Sequence, residues 1–252
     1  MDMTQVIVLL CIGLVGGAWN AIAGGATLFT FPALMAIGLP PVVANATNYL
    51  ALLPANAAAI PAYRDELRGL GGRLIPLVVV SGIGAIAGSL LLLASPSDVF
   101  VALVPFLILL AAGLFGFGES ARAWLLTKLG SDSGNAAIYF LLFASSIYGG
   151  YFGAGLGIIL LAVAQLLGYN DFNIANSIKN FLATSFTIVS IAIFGLGGII
   201  AWPQAVVMMV GSTVGGYAGG RLAKRVNPEY LRVSVIVFAL ALALVYFFRA
   251  FG

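Results

Sequence analysis

Eight long apolar runs, at residues 5–23, 43–63, 74–94, 98–117, 135–153, 172–195, 202–222 and 229–250, leave this chain one medium in which to fold, a lipid bilayer. A spanning helix needs about 20 predominantly apolar residues, and each run has roughly that length. Charged residues make up only 8% of the 252, against about 25% in a soluble domain. The mean hydropathy is +1.13, more apolar surface than a soluble fold of this size can bury. The expectation is an all-α polytopic protein of the cell membrane. The start, Met1-Asp2-Met3-Thr4-Gln5, lacks the basic stretch of a cleaved leader, so the first run is expected to be a retained membrane segment.

What is missing narrows the function further. There is no His and a single Cys, Cys11. A Cys/His metal site, a disulfide framework and a Ser-His-Asp triad are therefore excluded. The net charge of +3 comes from a few loop residues, so it reports topology and not nucleic-acid binding. No cofactor is implied, and self-association stays open.

Two shorter apolar runs, 26–38 and 156–168, are too short to cross and suit half-helices or re-entrant segments. Each follows a glycine-rich break, Ala23-Gly24-Gly25 and Gly153-Ala154-Gly155-Leu156-Gly157. A shift of 130 places Gly25 on Gly155 and Gly38 on Gly168, and a shift of 131 places Ala44-Asn45 on Ala175-Asn176. A shift of 132 places Gly84 and Gly88 on Gly216 and Gly220, and Ser95-Pro96 on Asn227-Pro228. These matches describe two repeats, 1–117 and 135–252, joined by a cytoplasmic linker, 118–134. Each repeat holds about four long helices and one half-helix. Loop 64–73 is basic and 95–97 uncharged, whereas 196–201 is uncharged and 221–232 basic. The positive-inside rule then makes the copies inverted, with both termini outside.

The segments Gly24-Gly25-Ala26-Thr27-Leu28-Phe29-Thr30-Phe31-Pro32-Ala33-Leu34 and Gly38-Leu39-Pro40-Pro41-Val42-Val43-Ala44-Asn45-Ala46-Thr47-Asn48 resemble the TauE/SafE family of sulfite and organosulfonate exporters. So do Trp202-Pro203 and Gly215-Gly216-Tyr217-Ala218-Gly219-Gly220-Arg221-Leu222-Ala223-Lys224-Arg225. The resemblance covers nearly the whole chain and implies transport of a small sulfur-containing or carboxylic anion. Two departures stand out: Leu156 occupies a place where the family tends to have glycine, and the cysteines of thiosulfate-handling relatives are absent apart from Cys11. A thiolate mechanism is disfavoured.

A half-helix that starts after a glycine break points unpaired N–H groups and the positive end of its dipole toward the membrane middle, as broken helices of inverted-repeat transporters do to hold anions. Gly24, Gly25, Gly155 and Gly157 are candidates on this ground, with Thr27 and Thr30 as hydroxyl donors and Asn20 and Tyr151 beside the breaks. Gly84, Gly88, Gly211, Gly215 and Gly219 read instead as close helix contacts. Lys179 lies about seven residues, roughly 10 Å, into its run. An intramembrane cation usually faces a cavity, and the nearest carboxylate, Asp171, is about two turns away. Its counterpart in the first copy is Asn48. Asn45 with Asn48, and Asn176 with Lys179, are three apart and share helix faces. Snorkelling of the lysine and interhelical hydrogen bonding of the amides are the plain alternatives.

The expected function is a secondary transporter or facilitator for a small anion, in the export direction and without enzymatic activity. An anion channel or a membrane assembly factor are the alternatives.

Overall fold

The apolar runs become helices almost run for run in the computed structural model, which describes residues 1–22, 25–57, 60–129, 135–222 and 228–251. In chain order these are α1 (Met3–Ile22), α2 (Thr27–Ala36), α3 (Pro41–Ala57), α4 (Arg64–Leu70), α5 (Leu74–Ala94), α6 (Ser97–Leu129), α7 (Asn135–Tyr151), α8 (Leu156–Leu166), α9 (Phe172–Leu196), α10 (Trp202–Leu222) and α11 (Pro228–Phe251). Short 3-10 turns, Ile60–Tyr63 and Gly71–Arg73, flank α4. The protein is an all-helical, multi-pass membrane protein. Among the described residues, the segments Met3–Asn20, Arg64–Ala94, Ser97–Leu114 and Asn173–Leu196 are long and apolar enough to cross a bilayer. At 1.5 Å per residue, α2 and α8 reach about 15 Å, half of the hydrocarbon core.

Three segments depart from the sequence reading. The run 43–63 is not one helix: α3 stops at Ala57, three residues after Pro54, and the chain resumes in the 3-10 turn that holds Pro61. Each proline removes a backbone donor that a continuing helix would use. The basic segment 64–73 is mostly α4, with Asp65 and Glu66 in the first turn and Arg68 in the last, the arrangement its dipole favours. The charged stretch after Gly118 continues α6 to Leu129, because residues 119–129 contain neither glycine nor proline. Residues 130–134 lie outside the described residues.

The bundle is apolar outside and fine-grained inside, as lipid requires. On α5, Ser81, Gly84, Ala85, Gly88 and Ser89 are buried or near-buried at contacts, whereas Ile75, Val79, Ile83, Ile86 and Leu90 are exposed on the other face. A methyl group at Gly88 would overlap the Ile147 carbonyl of α7, and one at Gly150 of α7 would overlap the Ala85 carbonyl. The α1–α10 interface is built alike. Methyl groups at Gly13 and Gly17 would strike Met208 and Ser212, and at Gly211 and Gly215 they would strike the carbonyls of Leu10 and Leu14. Close backbone approach of this kind replaces the hydrophobic drive that lipid cannot supply. At the centre, the wholly buried Phe31 stacks edge-on against Phe100 and Phe152, at 6.2 and 5.5 Å.

The packing has an internal exchange relation. Swapping α1, α2, α3, α5 and α6 for α7, α8, α9, α10 and α11 turns the α1–α10 contact into α7–α5, α3–α10 into α9–α5, α2–α3 into α8–α9 and α2–α11 into α8–α6. The α6–α11 and α3–α9 contacts map onto themselves. The backbone repeats too: Gly25 and Gly155 have φ of 72° and 76°, and Gly38 and Gly168 have 98° and 90°.

Candidate functional site

A helix cannot stop inside a bilayer unless its last carbonyls find donors. At the end of α7, the donors come from side chains of other helices. Tyr49 Oη donates to the Gly149 carbonyl, Asn45 Nδ2 to the Tyr151 carbonyl at 2.8 Å and Ser89 Oγ to the Gly150 carbonyl at 3.4 Å. Tyr148 Oη donates to the Ala154 carbonyl at 2.7 Å, inside the break. Gly153 and Gly155 then turn the chain through left-handed conformations that suit glycine, and α8 begins at Leu156. In the first half Gly25, just before α2, is left-handed as well. Gly24, a candidate from the sequence, lies outside the described residues.

The starts of the two half-helices differ from that of α9. Asp171 caps α9, accepting from the N–H groups of Asn173 and Ile174 at 2.9 and 3.0 Å. The caps of α2 and α8 are Ala26 and Gly155, and neither helix has a side-chain cap. The N–H groups of Leu28 and Phe29 turn back to the Gly25 and Ala26 carbonyls at 3.0 and 2.9 Å, and those of Leu156 and Ile158 to the Gly153 and Gly155 carbonyls at 3.4 and 3.3 Å. Among the described residues the N–H groups of Thr27 and Gly157 are therefore left to whatever lies in front of them.

In front of them is a cavity of about 510 Å³, within the range of small-molecule sites. Eight of the residues singled out from the sequence line it: Asn20, Gly25, Thr27, Asn48, Gly155, Gly157, Asn176 and Lys179. Its side walls are α3 and α9, which contribute equivalent positions. Asn48 and Lys179, Tyr49 and Asn180, Leu52 and Ala183, Ala55 and Phe186, and Asn56 and Thr187 are each 131 apart in number, and all line the cavity. The Lys179 stem lies over Gly157, with Cδ 3.6 Å from where a Cβ would sit. Among the described residues no carboxylate pairs with its ammonium, and no His, Cys, Asp or Glu lines the cavity.

Three other candidates sit behind the wall. Asn45 is fully buried and holds the α7 terminus. Tyr151 lies against Phe100, its hydroxyl 3.3 Å from Ser95 Oγ. Thr30 is fully buried, its hydroxyl directed at Asn48 Oδ1 and the Ala26 carbonyl. The cavity also has polar residues that the sequence reading passed over. Asn56 accepts a hydrogen bond from Asn20 at 3.0 Å, and Tyr63 Oη accepts one from Asn176 Nδ2 at 2.6 Å. Tyr49, Asn180 and Thr187 line it too. Asn56 and Asn180 were visible as amides inside apolar runs, and Thr187 as the 131-residue counterpart of Asn56. Nothing in the sequence distinguishes Tyr63 from an interfacial aromatic residue.

A site with a lone ammonium, uncapped helix starts and amides suits a small anion with several acceptor atoms. The comparisons with known proteins agree in class. The sequence model of a family described as sulfite exporter TauE/SafE matches residues 9–246. A probable membrane transporter protein of Haemophilus influenzae is 34% identical over 239 residues, covering 91% of this chain and 89% of that protein. The probable membrane transporter protein YfcA of Escherichia coli K12 is 30% identical over 238 residues, covering 91% and 85%. The probable membrane transporter protein ORF9 of a Sinorhizobium species is 26% identical over 243 residues, covering 94% and 90%. No solved structure matches.

Proposed function

The chain belongs to the sulfite exporter TauE/SafE family, and from that premise we propose that this membrane transporter is a secondary carrier or facilitator of a small anion, sulfite, an organosulfonate or a related sulfur-containing or carboxylic anion, in the export direction. One observation carries the reading: the Lys179 ammonium stands without a carboxylate partner among the described residues, in a cavity bounded by the uncapped starts of α2 and α8. An anion seated there supplies the missing counter-charge and accepts from the helix N–H groups. Among the described residues the wall has no His, Cys or carboxylate to set beside Lys179 as a general base or nucleophile, which speaks for transport over catalysis.

The same proposal includes inverted repeats, 1–117 and 135–252. The exchange relation among helix contacts and the shared positions of α3 and α9 in the cavity wall support it. Alternating access then consists of rocking one repeat against the other around this cavity.

Counterflow in proteoliposomes tests the carrier. Vesicles preloaded with unlabelled sulfite or methanesulfonate should accelerate uptake of the labelled anion from outside. A conductance that saturates poorly and shows no acceleration would instead assign a channel. No anion flux above protein-free vesicles would reject the transport reading.

A further inference from the structure

Asn48 and the two threonines of α2 form a hydrogen-bond chain whose direction can be read from its lengths. Thr30 Oγ1 lies 2.6 Å from Asn48 Oδ1, and Asn48 Nδ2 lies 3.3 Å from Thr27 Oγ1. A separation of 2.6 Å is in the range of O–H···O bonds and short for N–H···O, whereas 3.3 Å lies just past the N–H···O range and further past that of O–H···O. The Asn48 oxygen therefore faces Thr30 and its amide nitrogen faces Thr27. Thr30, fully buried, has one hydroxyl proton between two acceptors, Asn48 Oδ1 at 2.6 Å and the Ala26 carbonyl at 2.9 Å, and the shorter contact makes Asn48 the main acceptor; Asn48, 1% exposed, donates to Thr27. Thr27 thus has a lone pair engaged, and its hydroxyl proton has no acceptor among the described residues. Of the two threonines it is Thr27 that lines the cavity, together with Asn48 and Lys179.

We propose that Thr30 and Asn48 are positioning residues that fix Thr27 as a hydrogen-bond donor toward the cavity, and that this makes the site select oxyanions carrying no proton of their own. The inference rests on the anion-transport reading and sharpens it. An anion oxygen that only accepts matches the Thr27 hydroxyl and the Lys179 ammonium. An anion of the same shape that presents an O–H to this corner sets donor against donor, and a buried donor without an acceptor is costly. Specificity of this kind comes from polar groups the wrong ligand leaves unpaired.

Methanesulfonate and methylphosphonate provide the test. At mildly acidic pH both are monoanions of nearly equal shape, and the phosphonate alone carries an O–H. Titration calorimetry on the purified full chain should show that the wild type favours methanesulfonate. Thr30→Val removes the donor to Asn48 Oδ1, so the amide is free to turn and take the Thr27 proton. Methanesulfonate should then bind about ten-fold more weakly, the loss of one charge-assisted hydrogen bond, while methylphosphonate changes little and the preference collapses. Thr30→Ser keeps the hydroxyl and should restore it. A purely structural Thr30 would lower the melting temperature of the valine variant without altering the preference, and an unchanged preference overturns the relay alone. Wild-type protein that binds neither anion overturns the transport reading and the relay together.

Discussion

The stem of Lys179 lies across Gly157, the second residue of α8, in the same way that Asn48 lies across Thr27 at the start of α2. The two contacts are related by the internal shift of 130 to 131 residues. One ends in an amide bound to a hydroxyl, the other in an ammonium over a glycine. Among the described residues the cavity thus takes equivalent positions from α3 and α9 and carries its cation on α9 alone.

The glycines at the α8 break separate by conformation. Gly157 is helical, and a Cβ there meets Lys179 Cδ at an ordinary 3.6 Å, so Gly157→Ala should leave stability equal or raised, by up to about 1 kcal/mol. Gly155 has φ 76°. Gly155→Ala should cost about 1–2 kcal/mol and lower the melting temperature in detergent. Equal melting temperatures for the two variants would contradict the assigned break.

The helix interfaces give a stability prediction independent of transport. Gly88→Ala places a methyl group against the Ile147 carbonyl and should destabilise by about 1–3 kcal/mol as α5 and α7 are pushed apart. Gly82→Ala on the same helix meets nothing within 4 Å and should leave stability equal or raised by up to about 1 kcal/mol. Thermal unfolding of both variants, followed by tryptophan fluorescence in one detergent, checks the contrast.

Inversion of the repeats makes a topological prediction. In a Cys11→Ser background, which removes an exposed thiol, single cysteines in 64–73 and in 196–201 should be labelled from opposite sides of the membrane. Labelling of both from one side would rule out the inversion.

How far the sequence could be read depended on whether a feature was local. The half-helices were legible because glycine breaks and shortened runs are written in adjacent residues, and Lys179 because a cation inside an apolar run is conspicuous. The partner of a polar side chain is not local. Asn45 and Asn48 share a helix face three residues apart, yet Asn45 reaches the Tyr151 carbonyl, 106 residues away, while Asn48 borders the cavity. Thr30 resembled a second hydroxyl donor to the ligand, and the fold turns it inward to Asn48. Charge marked the linker 118–134 by composition but not its conformation, since the helix-forming neighbours of Glu119, Arg122 and Lys128 extend α6 to Leu129.

The central claim is that Lys179 supplies the positive charge for the transported anion, and initial flux into proteoliposomes at matched protein incorporation tests it. Lys179→Met keeps the length of the stem over Gly157 and removes the charge, so the protein should fold with flux at background. Lys179→Arg keeps the charge on a larger, planar group and should retain weak activity. A lysine that merely reaches toward the headgroups would leave both variants transporting at the wild-type rate, and normal flux in the methionine variant would contradict the account.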